Sequence, residues 1–139
     1  MRCLAIGIGA AVLLVSVSTA QAQRESGAEK VCFKREGHAN QSECLIDKAA
    51  QSAIDVQKAE RTFLDALAKS GNPPAEIQRA SLALSASSKA YESFRQIHCD
   101  FIATLALGGN GAGDRRLLCQ IELDRRRVKD LRAEVNLGF

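Results

Sequence analysis

The chain lacks several residue types on which common functional sites depend. Its 139 residues include no Trp, one Tyr, five Phe and only two His. So few aromatic side chains argue against a platform on which the bases of single-stranded nucleic acid stack. The formal net charge is +3, which is too small to indicate a nucleic-acid-binding protein. We therefore expect no nucleic-acid partner.

The sequence also lacks the motifs of the common enzyme classes. It contains no G-x-S-x-G, no H-E-x-x-H, no P-loop and no dinucleotide-binding fingerprint. Of the two histidines, His38 lies in a polar segment, where we expect it to be exposed. His98 lies on an apolar stripe, where we expect a packed, hydrogen-bonded core residue and not a catalytic base. The sequence therefore predicts a protein that is not an enzyme and that needs no cofactor.

The first 22 residues have the pattern of a secretory signal peptide. Arg2 supplies a positive charge, and residues 3–17 form an apolar run that is too short to span a hydrocarbon core of ~30 Å comfortably. Ala20 and Ala22 are the small residues of a cleavage site, and an uncleaved membrane anchor is the less favoured alternative. Cleavage leaves a single domain of residues 23–139, which we expect to be periplasmic or secreted with no stable membrane anchor.

The cysteine pattern of the mature chain predicts two disulfides. Removal of the leader leaves an even set of four cysteines at positions 32, 44, 99 and 119. Even numbers in small exported domains are typical of disulfides. A zinc site needs close pairs such as C-x-x-C, and the spacings here are far wider. We therefore expect no metal ion.

Hydrophobic periodicity predicts an all-α, antiparallel bundle of three main helices. The first begins near Ser42, with Asn40 or Ser42 as its cap, and the second begins at Pro74 or Ala75. The glycine-rich residues 108–113 end the second helix, and Asp114 caps the third.

Each helix carries a stripe that we expect to face the core. The three stripes are Leu45, Ala49, Ala53, Val56, Phe63 and Leu67; Ile77, Ala80, Leu84, Ser87, Tyr91, Phe94, His98, Phe101 and Leu105; and Leu117, Ile121, Val128, Leu131 and Val135. Four cysteines allow three pairings. Since the glycine-rich loop folds the second helix back along the third, we expect Cys99 to pair with Cys119, which leaves Cys32 for Cys44. Each bridge is worth roughly 3 kcal/mol in the chain-entropy account.

The second helix carries a short signature that resembles a known family. The run S-K-A-Y-E-S-F-R-Q-I-H-C at residues 88–99 is similar to the Q-x-x-W-x-x-[YF]-R-D-x-x-C run of the LprI-like lysozyme inhibitors. Tyr91 stands at the Trp position, and Phe94, Arg95 and Cys99 match directly. Three positions depart from the pattern, namely Ser88 for Gln, Tyr91 for Trp and Gln96 for Asp. The glycine-rich segment, Cys119, Arg127 and Leu131 follow in the family's order.

The resemblance implies an exported, non-catalytic binding protein that inhibits a lysozyme or another peptidoglycan-cleaving glycosidase. Such enzymes have a cleft built around two carboxyl groups. The loop after the second helix offers Asn110 and Arg115 as donors for those carboxyls. Arg95 is the third candidate, as an anchor for a carboxylate of the partner. The alternative for Arg95 is an ion pair within the chain.

A second functional hypothesis rests on the third helix, which is rich in arginine. The basic residues are Arg125, Arg126, Arg127, Lys129 and Arg132. They favour an envelope structural or stress protein that contacts peptidoglycan or another anionic surface. Glu122, Asp124, Asp130 and Glu134 lie among them and weaken the positive field, so a solvated helix face is the other interpretation.

Overall fold

The computed structural model describes residues 27–138, and the predicted signal peptide with its cleavage site lies outside them. The described chain forms four helices and no strand: α1 (Gly27–Cys32), α2 (His38–Ala68), α3 (Pro74–Thr104) and α4 (Ala112–Leu137). The prediction of an all-α bundle with three main helices is confirmed. None of the helices between residues 27 and 138 combines the length and the apolar character needed to cross a membrane.

The turns between the long helices follow from glycine and proline. After α2 the chain reverses at Gly71, whose φ of 77° lies in the left-handed region that glycine adopts without a steric cost. Pro74 occupies the first turn of α3, where its missing N–H is not needed. α3 ends in a tightened turn in which the N–H groups of Leu105 and Ala106 donate to carbonyls three residues back.

α4 is the central element of the bundle, because it packs along both α2 and α3, which contact each other far less. The buried side chains form two clusters. The first is Ala28, Cys32, Cys44, Leu45, Ala49 and Ile121, and the second is Val56, Ala59, Val128 and Leu131. These clusters agree with the stripes predicted for the first and third long helices.

Both predicted disulfides are present. Cys32 and Cys44 join α1 to the first turns of α2. Cys99 and Cys119 join the end of α3 to the start of α4 across the glycine-rich loop. Disulfides of this kind are typical of proteins that fold in an oxidising compartment.

The predicted caps were wrong. α2 begins at His38, with Gly37 before it, so Asn40 and Ser42 already lie inside the helix. Asn40 donates instead to the carbonyl of Glu36, at 2.8 Å. Asp114 likewise lies in the first turn of α4 and does not precede it.

The predicted inner stripe of α3 was correct only as far as Tyr91, and Ser87 within that part is exposed. Phe94, Phe101 and Leu105 are 53%, 56% and 47% exposed, so they do not face the core. Beyond Tyr91 the inner positions of α3 continue in steps of four residues and are occupied by Arg95 and Cys99. Arg95 lies inside because it pairs with the buried carboxylate of Asp124 on α4.

Candidate functional site

Asp124 is the centre of a polar layer between the two apolar clusters. It occupies an inner position of α4, between Ile121 and Val128, and is 1% exposed. Ser52 of α2 donates its hydroxyl to Oδ2 of Asp124 at 2.7 Å. Tyr91 of α3 donates its hydroxyl to Oδ1 at 2.6 Å. One carboxylate therefore connects all three long helices.

Arg95 compensates the charge of this carboxylate. Its Nη2 donates to Oδ2 of Asp124 at 2.9 Å, and its Nε lies 2.7 Å from Oδ1, although this N–H is not aligned as a hydrogen bond. The Arg95 side chain is only 18% exposed. A buried carboxylate without such a partner is strongly unfavourable, so the pair belongs together energetically. We call Asp124, Ser52, Tyr91 and Arg95 the Asp124 cluster.

A second charged set lies beside the Asp124 cluster. Ser88 of α3 donates to Oε1 of Glu60 on α2 at 2.6 Å. The guanidinium of Arg127 lies 3.4 Å from the same oxygen and 5.5 Å from the centre of the Tyr91 ring. Arg127 thus contributes an ion pair between α4 and α2 and a cation–π contact between α4 and α3.

A groove of about 280 Å³ lies between α2 and α3, and its walls include Glu60, Ser88 and Tyr91. Burial, together with the hydrogen bond to Asp124, raises the pKa of the Tyr91 hydroxyl well above its ordinary value of 10.0. Tyr91 is therefore a neutral donor at physiological pH. The carboxylates of Asp124 and Glu60 face the guanidinium groups of Arg95 and Arg127. Such an internal network fixes the relative positions of helices.

A second candidate region is the loop between α3 and α4, residues 105–111, which we call the clamped loop. Leu107 has a φ of 49°, a region that a bulky side chain seldom adopts, and it is 91% exposed. Asn110 is also exposed, and Arg115 follows it on the exposed side of α4. The loop therefore presents the apolar Leu105 and Leu107 and the donor Asn110 to solvent, and α4 adds the donor Arg115 just beyond it.

Two constraints hold the clamped loop. The Cys99–Cys119 bridge joins the two helices on either side of it. Asp114, in the first turn of α4 just after the loop, accepts hydrogen bonds from Ser42 of α2 at 2.8 Å and from the His38 ring at 3.1 Å. An ordered loop loses less conformational entropy on binding than a free one.

The three consecutive arginines of α4 do not form one surface. Arg125 and Arg126 are both paired with Glu122, at 3.3 Å and 3.0 Å. Arg127 turns inward and is 17% exposed. The three consecutive arginines therefore point to different surroundings, and much of their charge is compensated within the chain.

The structure places the predicted site residues in two regions. Asn110 lies in the clamped loop and Arg115 in the first turn of α4, both exposed, whereas Arg95 binds the chain's own Asp124. The sequence pattern did not single out Asp124, Ser52 or Glu60. Asp124 carries a recognisable signal, because positions 121, 124, 128 and 131 continue the inner stripe of α4 in steps of three and four.

Comparison with known proteins does not assign the chain to a family. Searches of family models, of curated proteins and of solved structures found no match to the chain. Fold and contacts define it as a small, disulfide-linked α-helical domain with a buried carboxylate cluster. No group of three or more His, Cys, Asp or Glu side chains within residues 27–138 is arranged to hold a metal ion.

Proposed function

We propose that this protein is an exported, non-catalytic binding protein of the lysozyme-inhibitor type, acting in the periplasm or outside the cell. The observation that carries the proposal is the clamped loop. Leu107 and Asn110 project into solvent from a segment whose two flanking helices are joined by a disulfide, and Asp114 just after it is hydrogen-bonded to α2. The resemblance of residues 88–99 to LprI-like inhibitors remains a prediction and points in the same direction.

The proposed mechanism is occlusion of a glycosidase cleft. Leu107 packs against an apolar wall of the cleft, and the amide of Asn110 and the guanidinium of Arg115 donate to its two carboxyl groups. Charge-assisted hydrogen bonds from a guanidinium to a carboxylate are among the strongest polar contacts. Arg95 takes no part in this contact, because its guanidinium already binds Asp124.

The first test is lysis of a cell-wall suspension by several types of lysozyme, followed by turbidity, with the mature chain added at micromolar concentration. We expect slower lysis with at least one type. Leu107→Asp should remove the effect, whereas Leu137→Asp, which changes a leucine that is 79% exposed at the other end of α4, should leave it intact. Unchanged lysis with every type of lysozyme contradicts the proposal.

The disulfides offer a second, matched comparison. Replacing Cys99 and Cys119 together by Ser frees the clamped loop, so inhibition should weaken because the loop must be ordered on binding. Replacing Cys32 and Cys44 together removes a bridge between α1 and α2. This control should weaken inhibition far less once both variants are measured below their unfolding transitions. Equal losses would mean that the loop is not the binding element.

The alternative, an envelope protein that contacts an anionic surface through α4, has less support. Arg125 and Arg126 share Glu122, and Arg127 pairs with Glu60. Salt-sensitive binding to cell-wall fragments, lost when Arg125 and Arg126 are changed to Glu, would favour it over inhibition.

A further inference from the structure

The outward side of α3 carries a continuous apolar strip that no part of the described chain covers. Its bulky members Leu82, Phe94, Ile97, Phe101 and Leu105 are between 47% and 68% exposed. Ala86 and Ala90 are also exposed and continue the strip in steps of four residues. None of these seven strip residues is charged. Exposed apolar patches of this kind mark interaction surfaces.

The order of the side chains along the outer strip is self-complementary. The N-terminal part has the small residues Ala86 and Ala90, and the C-terminal part has the bulky Ile97 and Phe101. If two such helices pair antiparallel about a two-fold axis near Phe94, the bulky residues of one copy meet the alanines of the other. Alternation of large and small side chains at facing positions is how helices interdigitate.

The terminal and flanking positions fit the same pairing. Leu82 of one copy lies opposite Leu105 of the other, since both are about twelve residues from the axis. Lys89 and Asp100 are eleven residues apart and so lie on the same flank of the strip, within ~20°. Antiparallel helices related by a two-fold axis bring the same flank of each together, so Lys89 faces Asp100 of the second copy. The Asp100 side chain pairs with Arg116 at 2.8 Å and is still 48% exposed.

We infer that a second copy of this chain covers the outer strip, by antiparallel pairing of the two α3 helices. At roughly 200 Å² for a fully exposed bulky side chain, the exposed fractions correspond to on the order of 500 Å² per copy, or about 1,000 Å² for the pair. This area is at the lower edge of specific interfaces, so we expect a weak, concentration-dependent dimer. The inference is independent of lysozyme inhibition, since it uses no residue of the clamped loop beyond Leu105.

Sedimentation equilibrium of the mature protein across a concentration series tests this inference. We expect a concentration-dependent monomer–dimer equilibrium that Ile97→Asp shifts to monomer. The matched control is Ile54→Asp, which places the same charge at an isoleucine of α2 that is 52% exposed, and it should leave the dimer intact. A monomer at every concentration up to about 1 mM, or a dimer unaffected by Ile97→Asp, would overturn the inference.

A variant that leaves the monomer untouched guards against misfolding of Ile97→Asp. Ala90 is exposed, so Ala90→Arg changes no monomer contact, yet it places a charge opposite Ile97 of the second copy. It should dissociate the dimer without altering the melting temperature of the monomer. A dimer that tolerates Ala90→Arg contradicts the proposed register.

Cross-linking measures the register directly. Ser93 is exposed and lies next to the proposed axis, so Ser93→Cys should give a cross-linked dimer with a short thiol-reactive reagent. Thr62→Cys on the exposed side of α2 is the control and should stay monomeric. Equal cross-linking of the two variants would mean random collision and would count against the paired α3 helices.

Discussion

The two faces of α3 reverse the usual distribution of residue types. The inner face carries Tyr91 and Arg95, which bind a carboxylate that is almost completely buried. The outer face carries Phe94, Ile97 and Phe101, each more than half exposed. Burying a guanidinium and exposing a phenyl ring are both unfavourable in isolation.

The difference between the faces separates what stabilises the domain from what is free to bind. Asp124 stabilises an arginine inside the bundle, because it supplies the opposite charge at short range and accepts a hydrogen bond from its guanidinium. No element of the described chain buries the aromatic residues of the outer face. Departures from the usual distribution of polar and apolar residues are concentrated at functional positions. On this basis the inner face specifies the arrangement of the helices, and the outer face binds a partner.

The largest expected effect is on the inner face. Asp124→Ala leaves Arg95 buried without its partner and removes the acceptor of Ser52 and Tyr91, so the free energy of unfolding should fall by about 3–5 kcal/mol. Denaturant unfolding measures this loss. Asp130→Ala, at an exposed position of the same helix, should change the stability by less than about 0.5 kcal/mol. Similar losses in both variants would show that the buried pair has no special role.

A smaller effect is expected at the edge of the same cluster. Tyr91→Phe removes one hydrogen bond to Asp124, which costs about 1–2 kcal/mol. It also changes the dependence of stability on pH. Since the pKa of Tyr91 is higher in the folded chain than its ordinary value of 10.0, the folded state holds the proton longer, and stability falls as pH rises above about 10.

The control for this pH dependence is the phenylalanine variant itself. Its stability should fall less steeply between pH 10 and 12 than that of the parent, because it has no hydroxyl at this position to ionise. Parallel curves for the two proteins would mean that Tyr91 ionises equally easily in the folded and unfolded chains.

The smallest effect on monomer stability is expected on the outer face. Phe94→Ser replaces a ring that is 53% exposed and stacks on His98, at a centroid distance of 5.1 Å. The free energy of unfolding at nanomolar concentration, where the chain is monomeric, should change by less than about 1 kcal/mol. A loss as large as that of Asp124→Ala would place Phe94 in the core and remove the distinction between the two faces.

The sequence predicts the helices and the disulfides well, because both depend on local information. The helical periodicity is interrupted at Gly71, Pro74 and the glycine-rich residues 108–113. The resulting order of helices favours one of the three cysteine pairings. The buried face of α2 follows its apolar period closely, from Leu45 to Leu67. These features need no knowledge of what lies on the neighbouring helix.

The Asp124 cluster could not be predicted in the same way, since its energetics depend on residues distant in the sequence. Arg95 and Asp124 are 29 positions apart and stabilise each other only after α3 and α4 have packed. Hydrophobicity alone placed Phe94 inside, which was wrong, and it gave no reason to place Asp124 there. The contacts of Asp114 with Ser42 and His38 span more than 70 positions and could not be predicted for the same reason.

A double-mutant cycle between Arg95 and Asp124 tests the reversal of the two faces most directly. Arg95→Met, Asp124→Leu and the double variant are compared by denaturant unfolding, with the exposed pair Arg125 and Glu122 as the control cycle. We predict a coupling of about 1.5–3 kcal/mol for the buried pair and less than about 1 kcal/mol for the exposed pair. The double variant should also be more stable than Asp124→Leu alone, since no charge is then left buried. Strictly additive losses at Arg95 and Asp124 would contradict the account.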